Sequence, residues 1–488
     1  MRRLNSTHGP IHARAWPGAV VVVACAYSLA LASPARAIPP YDDLVPGRWT
    51  VVSTNSIRDM DPCPTRDCSY SAVEGLSGVV NDWNGGVFAS GYGTHGGLVA
   101  WGGGHNGYFG SEIYVFDVAT QTWARETEPY DDGSSSVAPR CSAEGIYPDG
   151  SACPTHSYNA IEYRPSTNTL VILNGTADPV AGGAIDGRAH LFNFTDHTWA
   201  LGARNTGRVG YDAPGAYDPT RDIFWQMYGY VYHFASYDPS RDEWTDHGSP
   251  GVWEIDGAGK VDPVRDLFVF IDSRGTGRMF AIPLSAPTTP MVELTTTGDT
   301  EIQSQSAIGF EWEPVSERFV AWSAGADVYV LTPPAGDWRT AAWAWSRVSP
   351  DAGNTVVPTA NSNGTYGRFR YAATVNAFLL VSEYDGPVWA YRLSPGAGTG
   401  PNPLRDAGVG AVDGSVASAD AGGGALDAGG GGGAPGADSG CGCAAAPTDG
   451  QGLWALSMGA LGVAARRRRR RERGGMRVLG SPPGRGKT

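Results

Sequence analysis

The chain has 488 residues, carries a formal net charge of −13 and contains 16 Trp, 21 Tyr and 68 Gly. The acidic balance argues against a protein that binds bulk nucleic acid, because phosphates would repel it. A chain of this length holds either two or three average domains or one large all-β domain. The second choice is favoured, because aromatic residues suit strands and glycine suits tight turns.

The first 37 residues have the parts of a secretory signal. Arginines at positions 2, 3 and 14 precede an apolar run from Ala19 to Ala32, and Ala35-Arg36-Ala37 supplies the small residues of a cleavage site. We therefore predict export, with cleavage after Ala37. A lipoprotein-type signal ending at Cys25 is the alternative, although the apolar run continues past that cysteine.

Of the seven cysteines, Cys25 lies in the signal and four others form two close pairs along the chain. In an exported protein these pairs predict two local disulfides, Cys63–Cys68 and Cys141–Cys153. Zinc binding by the first pair is the alternative, but no second pair with matching spacing follows it. We therefore expect no metal and no cofactor.

One phrase recurs through the middle of the chain: an aromatic or apolar residue, a proline two positions later, a polar turn and an apolar run. It appears as YRPSTNTLVIL from Tyr163, YDPTRDIFWQ from Tyr217, VDPVRDLFVF from Val261, WEPVSERFVA from Trp312 and, without proline, YAATVNAFLLV from Tyr371. Proline presets φ in such turns, so each phrase predicts a β-hairpin. A third strand and usually a fourth, Trp-bearing strand follow each hairpin.

Four-stranded units that repeat every ~45–60 residues are typical of β-propeller blades. We assign six blades, to residues 79–129, 154–204, 208–248, 252–296, 304–350 and 366–395. The last blade lacks its Trp-bearing strand, whereas an unassigned strand of this kind, Gly47–Val52, precedes the first blade. Because open sheet edges are a liability, we predict an all-β, six-bladed propeller over residues 41–395, closed by this N-terminal strand.

The first blade carries a family signature. Gly102-Gly103-Gly104 follows an apolar strand, and Tyr114 and Trp123 come after it at fixed offsets. This pattern resembles the kelch repeat over residues 41–395, most closely in its bacterial members and more distantly in the galactose-oxidase propeller. Blades three to six depart from it, since they lack the double glycine. The resemblance implies a propeller that serves as a binding platform.

The composition changes after the sixth blade. Residues 396–440 are rich in Gly, Ala and Asp and predict a flexible linker. Cys441-Gly442-Cys443, an apolar run from Gly452 to Ala465 and arginines at 466–471 follow. Residues 441–473 resemble the MYXO-CTERM sorting tail of myxobacterial surface proteins, which implies membrane contact before processing at Cys441 and Cys443. Residues 474–488 are left unassigned.

Most candidate site residues fall on one face of the predicted propeller. In a four-stranded blade, the loop between strands two and three lies on the same face as the connection to the next blade. Long loops there, at 56–78 and 130–153, carry the cysteine pairs, and such loops concentrate binding residues. The ligand-binding candidates on this face are His105, Asn106, Tyr108, Glu112, His156, Tyr158, Arg274, Arg368 and Arg370.

Several of these candidates have structural alternatives. The glycines Gly102–Gly104 are expected to form a bend, and His105 after them either binds a ligand or hydrogen-bonds the loop backbone. Arg368 and Arg370 flank Phe369 and therefore point to the same side of a strand, where they either bind an anion or buttress the loops.

We consider three functions for these residues. We expect an exported, surface-anchored, monomeric propeller that binds a polysaccharide or a surface protein without catalysis. A polysaccharide lyase is the alternative, since His or Tyr would move the proton and Arg would neutralise a uronate carboxylate. A copper oxidase like galactose oxidase requires a Cys cross-linked to Tyr and two His, whereas the cysteines here are better explained as disulfide partners and no His follows His247.

Overall fold

The computed structural model describes residues 40–62, 74–103, 107–130, 141–173, 187–205, 214–228, 233–249, 257–272 and 276–401, and these residues form six β-sheets. Each sheet is one blade of a propeller, as predicted. The candidates His105, Asn106 and Arg274 and the pair Cys63 and Cys68 lie outside the described residues, as do the signal, the linker and the tail with Cys441 and Cys443.

Blades one to three each contain four antiparallel strands in chain order. Their bounds are Gly86–Ala89 (β2), Gly97–Ala100 (β3), Tyr114–Asp117 (β4) and Thr122–Arg125 (β5); Ile161–Arg164 (β6), Thr169–Ile172 (β7), Arg188–Asn193 (β8) and Thr198–Arg204 (β9); Gly215–Asp218 (β10), Ile223–Tyr228 (β11), His233–Asp238 (β12) and Glu243–Asp246 (β13).

Blade four repeats this plan, and blades five and six each gain an outer strand from elsewhere in the chain. Blade four contains Ala258–Asp262 (β14), Leu267–Ile271 (β15), Met279–Pro283 (β16) and Val292–Glu293 (β17). Blade five contains Gly309–Glu313 (β19), Arg318–Trp322 (β20), Val328–Thr332 (β21) and Trp343–Val348 (β22). Blade six contains Phe369–Ala372 (β23), Ala377–Leu380 (β24) and Val388–Tyr391 (β25).

The extra strand of blade five was not expected from the sequence. Thr296–Gly298 (β18) pairs in parallel with β22, from Thr296 opposite Trp343 to Gly298 opposite Trp345. The predicted fourth blade ended at residue 296, so this short segment falls at its boundary. Three residues without hydrophobic alternation carry no signal that would assign them to the next blade.

The predicted closure is confirmed. The strand Trp49–Ser53 (β1) pairs antiparallel with β25, with Trp49 opposite Tyr391 and Thr50 opposite Ala390. The indole of Trp49 is 3% exposed and lies 5.1 Å from the ring of Tyr391 and 5.8 Å from that of Trp322. The first strand of the chain therefore completes the last blade.

In blades two to six, the recurring phrase forms the turn between the two inner strands. In blade three the Asp218 carboxylate accepts hydrogen bonds from the N–H groups of Thr220 and Arg221, and Asp222 adopts a left-handed φ of 57°. Asp and Asn tolerate this conformation better than most residues. Arg221 also lies 2.7 Å from Asp266 of the next blade, so the same phrase links neighbouring blades.

The inner strands form a closed ring around the axis, in which β2, β6, β10, β14, β19 and β23 each contact the next, and β23 contacts β2. Apolar side chains fill the space between neighbouring sheets, as in the cluster of Val99, Trp101 and Val115 from blade one with Ile161 and Ile172 from blade two. The ring thus positions every inner strand relative to one central channel.

Within the residues that the structure describes, helical segments are few and short. The α-helix is Gly78–Asn81 (α1), and 3₁₀ turns occur at Tyr41–Asp43, Ile57–Met60, Gly75–Ser77, Pro165–Thr167, Thr300–Ser304 and Tyr366–Arg368. A membrane-crossing helix is not found within the described ranges.

Candidate functional site

The inner strands begin at one end of the channel, which we call the loop face. In blades one, two, five and six, the inner strand contains an aromatic residue: Phe88, Tyr163, Trp312 and Tyr371. The residue five positions before it lies on the loop face. These four residues are Trp83, Tyr158, Ala307 and Tyr366. All four adopt a left-handed φ, between 45° and 54°. Non-glycine residues rarely do so, and such strain concentrates at functional sites.

Three of these residues, with His156, form an aromatic group that we call the entry cluster: Trp83, His156, Tyr158 and Tyr366. The Trp83 and His156 rings lie 5.0 Å apart, and Nδ1 of His156 lies 3.2 Å from the hydroxyl of Tyr158. Tyr158 in turn meets Tyr366 edge-on at 5.5 Å. The cluster therefore spans blades one, two and six.

Exposure differs sharply within the entry cluster. Trp83 is 39% exposed, whereas His156, Tyr158 and Tyr366 are buried. The exposed indole is thus the part that a ligand can reach, and the three buried rings support it from below. An exposed aromatic face held by packed neighbours suits stacking against a flat, weakly polar surface.

Backbone hydrogen bonds between blades hold the entry cluster in place. The N–H of Tyr158 donates to the carbonyl of Trp83 at 2.9 Å, and the N–H of Tyr366 donates to that of Ala307 at 3.2 Å. The Asn84 carboxamide accepts the N–H of Ser157 and donates to the carbonyl of Gly78. The cluster is therefore fixed before any ligand arrives, which lowers the ordering cost of binding.

An acidic group lies directly beside the cluster. Asp82 precedes Trp83 and is buried, and burial raises its pKa to about 7, with a further increase from the charge of Glu74. A carboxyl group with this pKa exchanges its proton near neutrality.

Tyr108 and Glu112 lie in the interior of blade one. The Tyr108 hydroxyl donates to Glu112 at 2.5 Å, and the Tyr114 hydroxyl donates to the same oxygen at 3.2 Å. Burial raises the pKa of Glu112 to about 7, although these hydrogen bonds oppose the increase. Both residues are almost fully buried, so their hydrogen-bonding groups support the blade and do not line the exposed surface.

The two arginines of blade six also point inward. Arg368 is fully buried and donates to the carbonyls of Asn84, Val381 and Gly364. Burial lowers its pKa to about 10. Arg370 lies in the channel, where it contacts Glu162 and Glu311. Neither guanidinium is therefore exposed to a ligand on the loop face. Arg368 buttresses the loops, one of the two roles that the sequence left open.

The glycine bend behaves as expected. A Cβ atom at Gly102, whose φ is +140°, would overlap the side chain of Asn84, and one at Gly103 would crowd the carbonyl of Tyr108. Gly103 also donates its N–H to the carbonyl of Thr155 in the next blade. These two positions require glycine for close approach.

The loop between blades one and two contains the disulfide Cys141–Cys153, as the sequence predicted. Pro154, Thr155 and His156 follow Cys153 directly. The disulfide therefore anchors the segment that carries His156 into the entry cluster.

Sequence reasoning found His156 and Tyr158 but missed Tyr366. Its signal was present, since alignment of the repeats on the inner-strand aromatic residue places Trp83, Tyr158 and Tyr366 in one column. Without that alignment, a single tyrosine before a Gly-Arg pair does not indicate a site residue.

No protein-family model and no curated protein matches the chain. Similar solved structures include a structural-genomics protein of unknown function from Bacteroides thetaiotaomicron, at 10% identity and a TM-score of 0.41, covering 71% of this chain and 75% of that chain. Another is a chain of a nidogen–laminin complex, at 9% identity and a TM-score of 0.34, covering 58% of this chain and 92% of that chain.

Proposed function

We propose that this protein is a glycan-binding propeller that holds a sugar ring against Trp83 on its loop face. The exposed indole in a strained, preorganised entry cluster is the observation that carries the proposal. Aromatic faces stack on the C–H surfaces of sugar rings.

The test compares two tryptophan variants in a polysaccharide retention assay. Trp83→Ala is expected to weaken binding about thirtyfold, or ~2 kcal/mol, as loss of a central aromatic contact does. Trp338→Ala is the matched control, because this half-buried Trp lies between β21 and β22, at the opposite end of the propeller. Equal retention by both variants would contradict the proposal, and retention of a protein but of no polysaccharide would assign the face to a protein ligand.

A lyase remains the second candidate because His156 and Tyr158 lie in hydrogen-bond contact, as a proton-transferring pair would. Of the arginines expected to neutralise a uronate, the described Arg368 and Arg370 are buried, and they bind backbone carbonyls and channel carboxylates respectively. Ultraviolet absorbance of an unsaturated product, formed from a uronate polysaccharide and lost in His156→Ala, would support the lyase. The disulfide leaves neither Cys141 nor Cys153 for the Cys–Tyr cross-link of a copper oxidase.

The proposal includes export and surface attachment, which rest on the signal-like residues 1–37 and the MYXO-CTERM-like residues 441–473. Sequencing of the mature N-terminus is expected to give Ile38, directly after the proposed cleavage site. A mature chain that retains Arg2 and Arg3 would contradict export by this signal.

A further inference from the structure

A cavity of about 380 Å³ occupies the channel at the end opposite the loop face. It is lined by the final residues of the inner strands and by the turns that follow them. We call it the channel cavity. Its size falls within the roughly 300–1,000 Å³ of small-molecule sites, so it has room for a small ligand and not for a polymer.

The walls of the channel cavity are built by the repeat. The first position of each phrase, and the equivalent position in blade one, supply one ring or apolar group each, from Phe88, Tyr163, Tyr217, Val261, Trp312 and Tyr371. The position two residues later supplies the turn residues around the mouth, Ser90, Pro165, Pro219, Pro263, Pro314 and Ala373. The walls are therefore mostly apolar and flat.

Four charged residues form the floor, one residue before the aromatic position in their blades: Glu162, Lys260, Glu311 and Arg370. Lys260 Nζ lies 2.6 Å from Glu162 and 3.7 Å from Glu311, while Arg370 lies 3.1 Å from Glu162 and 3.0 Å from Glu311. Two positive and two negative groups thus neutralise one another, and each carboxylate contacts both cations.

The fold does not require charges at this level of the channel. The equivalent positions of blades one and three carry Val87 and Ala216, and both are buried. Buried ion pairs are weak evidence for stability, because desolvation offsets their attraction. Small-molecule sites typically combine apolar walls with a few polar groups at fixed positions. The four charged residues beneath the aromatic walls fit this description.

We propose that the channel cavity binds one uncharged monosaccharide unit, independently of the loop face. The flat aromatic and proline walls fit the C–H faces of a sugar ring. Sugar hydroxyls can donate to Glu162 or Glu311 and accept from Lys260 without separating the ion pairs. A charged ligand would have to break those pairs and leave one partner buried and unpaired, which is costly.

Calorimetric titration of the full-length protein tests this proposal with D-glucose, D-galactose, D-mannose and N-acetyl-D-glucosamine, and with two charged counterparts of glucose, D-glucuronate and D-glucosamine. We expect at least one neutral sugar to bind with a dissociation constant below ~10 mM. The charged counterparts are expected to bind at least about tenfold more weakly.

Ala373→Phe is the main variant, because it adds a ring at the cavity mouth and removes none of the wall side chains. This variant is expected to weaken neutral-sugar binding more than about tenfold. Trp312→Ala, which removes one of the aromatic wall side chains, is expected to weaken it as well. Thermal unfolding confirms that each variant folds. Trp338→Ala serves as the control and is expected to leave this binding unchanged, because Trp338 does not line the channel cavity.

Three results would overturn the proposal: binding of none of the four neutral sugars, equal binding of glucuronate or glucosamine, or full binding by folded Ala373→Phe. If Trp83→Ala abolishes sugar binding while Ala373→Phe does not, the sugar occupies the loop face alone. Conversely, if the protein retains no polysaccharide at the loop face, the proposed loop-face function fails, but sugar binding in the channel cavity is unaffected. The two proposals can therefore fail separately.

Discussion

Arg368 and Arg370 are two residues apart in blade six, yet their guanidinium groups have different partners. Arg368 donates to three backbone carbonyls, and Arg370 joins two carboxylates in the channel. Arg392 is a third case, since it donates to the carbonyls of Tyr41, Leu44, Val375 and Asn376. Guanidinium groups present five donors in a fixed plane, so this propeller uses them to satisfy carbonyls where strands end.

Glu112 gives a pH prediction at the same scale. Its pKa rises from an ordinary 4.5 to about 7 on folding, so the folded state holds the proton more tightly. This contribution to stability is full below about pH 4.5 and is lost as the pH rises through about 7. The Gln side chain of Glu112→Gln cannot ionise, so this loss is absent in the variant. As the pH rises from 5 to 8, we expect the free energy of unfolding of the variant to increase by ~1–3 kcal/mol relative to that of the native chain.

Urea unfolding followed by tryptophan fluorescence at several pH values measures this difference. Glu243→Gln is the control, because Glu243 is an exposed carboxylate on β13. Parallel stability profiles of the native chain and Glu112→Gln across this range would contradict the prediction.

At the scale of elements, β1 shows how a strand distant in sequence completes a blade. Trp49 packs on rings from blades five and six, and its indole N–H donates to the carbonyl of Ala326 at 2.9 Å. Arg48 adds two hydrogen bonds to Asp351 at 2.6 Å. That pair faces solvent, which screens its attraction, so the buried indole is the main contact.

Trp49→Ala is therefore expected to lower the free energy of unfolding by about 3–5 kcal/mol, the usual cost of emptying a buried aromatic site. Chemical denaturation measures the change. Trp83→Ala, with its exposed indole, is expected to cost less than about 1 kcal/mol. Similar losses in the two variants would show that β1 does not hold the ring.

At the scale of the molecule, closure joins the start and the end of the propeller. Gly47 donates its N–H to the carbonyl of Arg392, and Trp49 lies opposite Tyr391. Without β1, the hydrogen-bonding edge of β25 would be open, and open edges pair with other chains. The antiparallel pairing also means that β25 could run directly into β1 through a short turn.

A chain that begins at Thr54 is accordingly expected to self-associate and to unfold at lower denaturant concentration, as light scattering and urea titration would show. A permuted chain in which residues 45–53 follow Ser394 through a short Gly/Ser turn contains the same strand and is expected to remain monomeric. If the truncated chain stays monomeric and equally stable, the closure is dispensable.

The fold was predictable because its information is local and repeated. The turn phrase occurs in five blades, in four of them with proline, and specifies a hairpin wherever it occurs. Six blades with one displaced strand require a closed ring. Part of the loop-face site followed from this, since His156 and Tyr158 precede an inner strand. Tyr366 and the three-residue strand β18 were missed, because the role of each becomes evident only when the blades are superimposed.

What the sequence by itself determined is therefore the blade, the number of blades and the closing strand, all set by short-range patterns of turns and apolar residues. Only the tertiary structure decided which polar groups meet. Glu162, Lys260, Glu311 and Arg370 come from four blades, and Arg368 faces backbone carbonyls while Trp83 faces solvent. Such contacts depend on burial and on distances across the ring, and a linear chain carries neither.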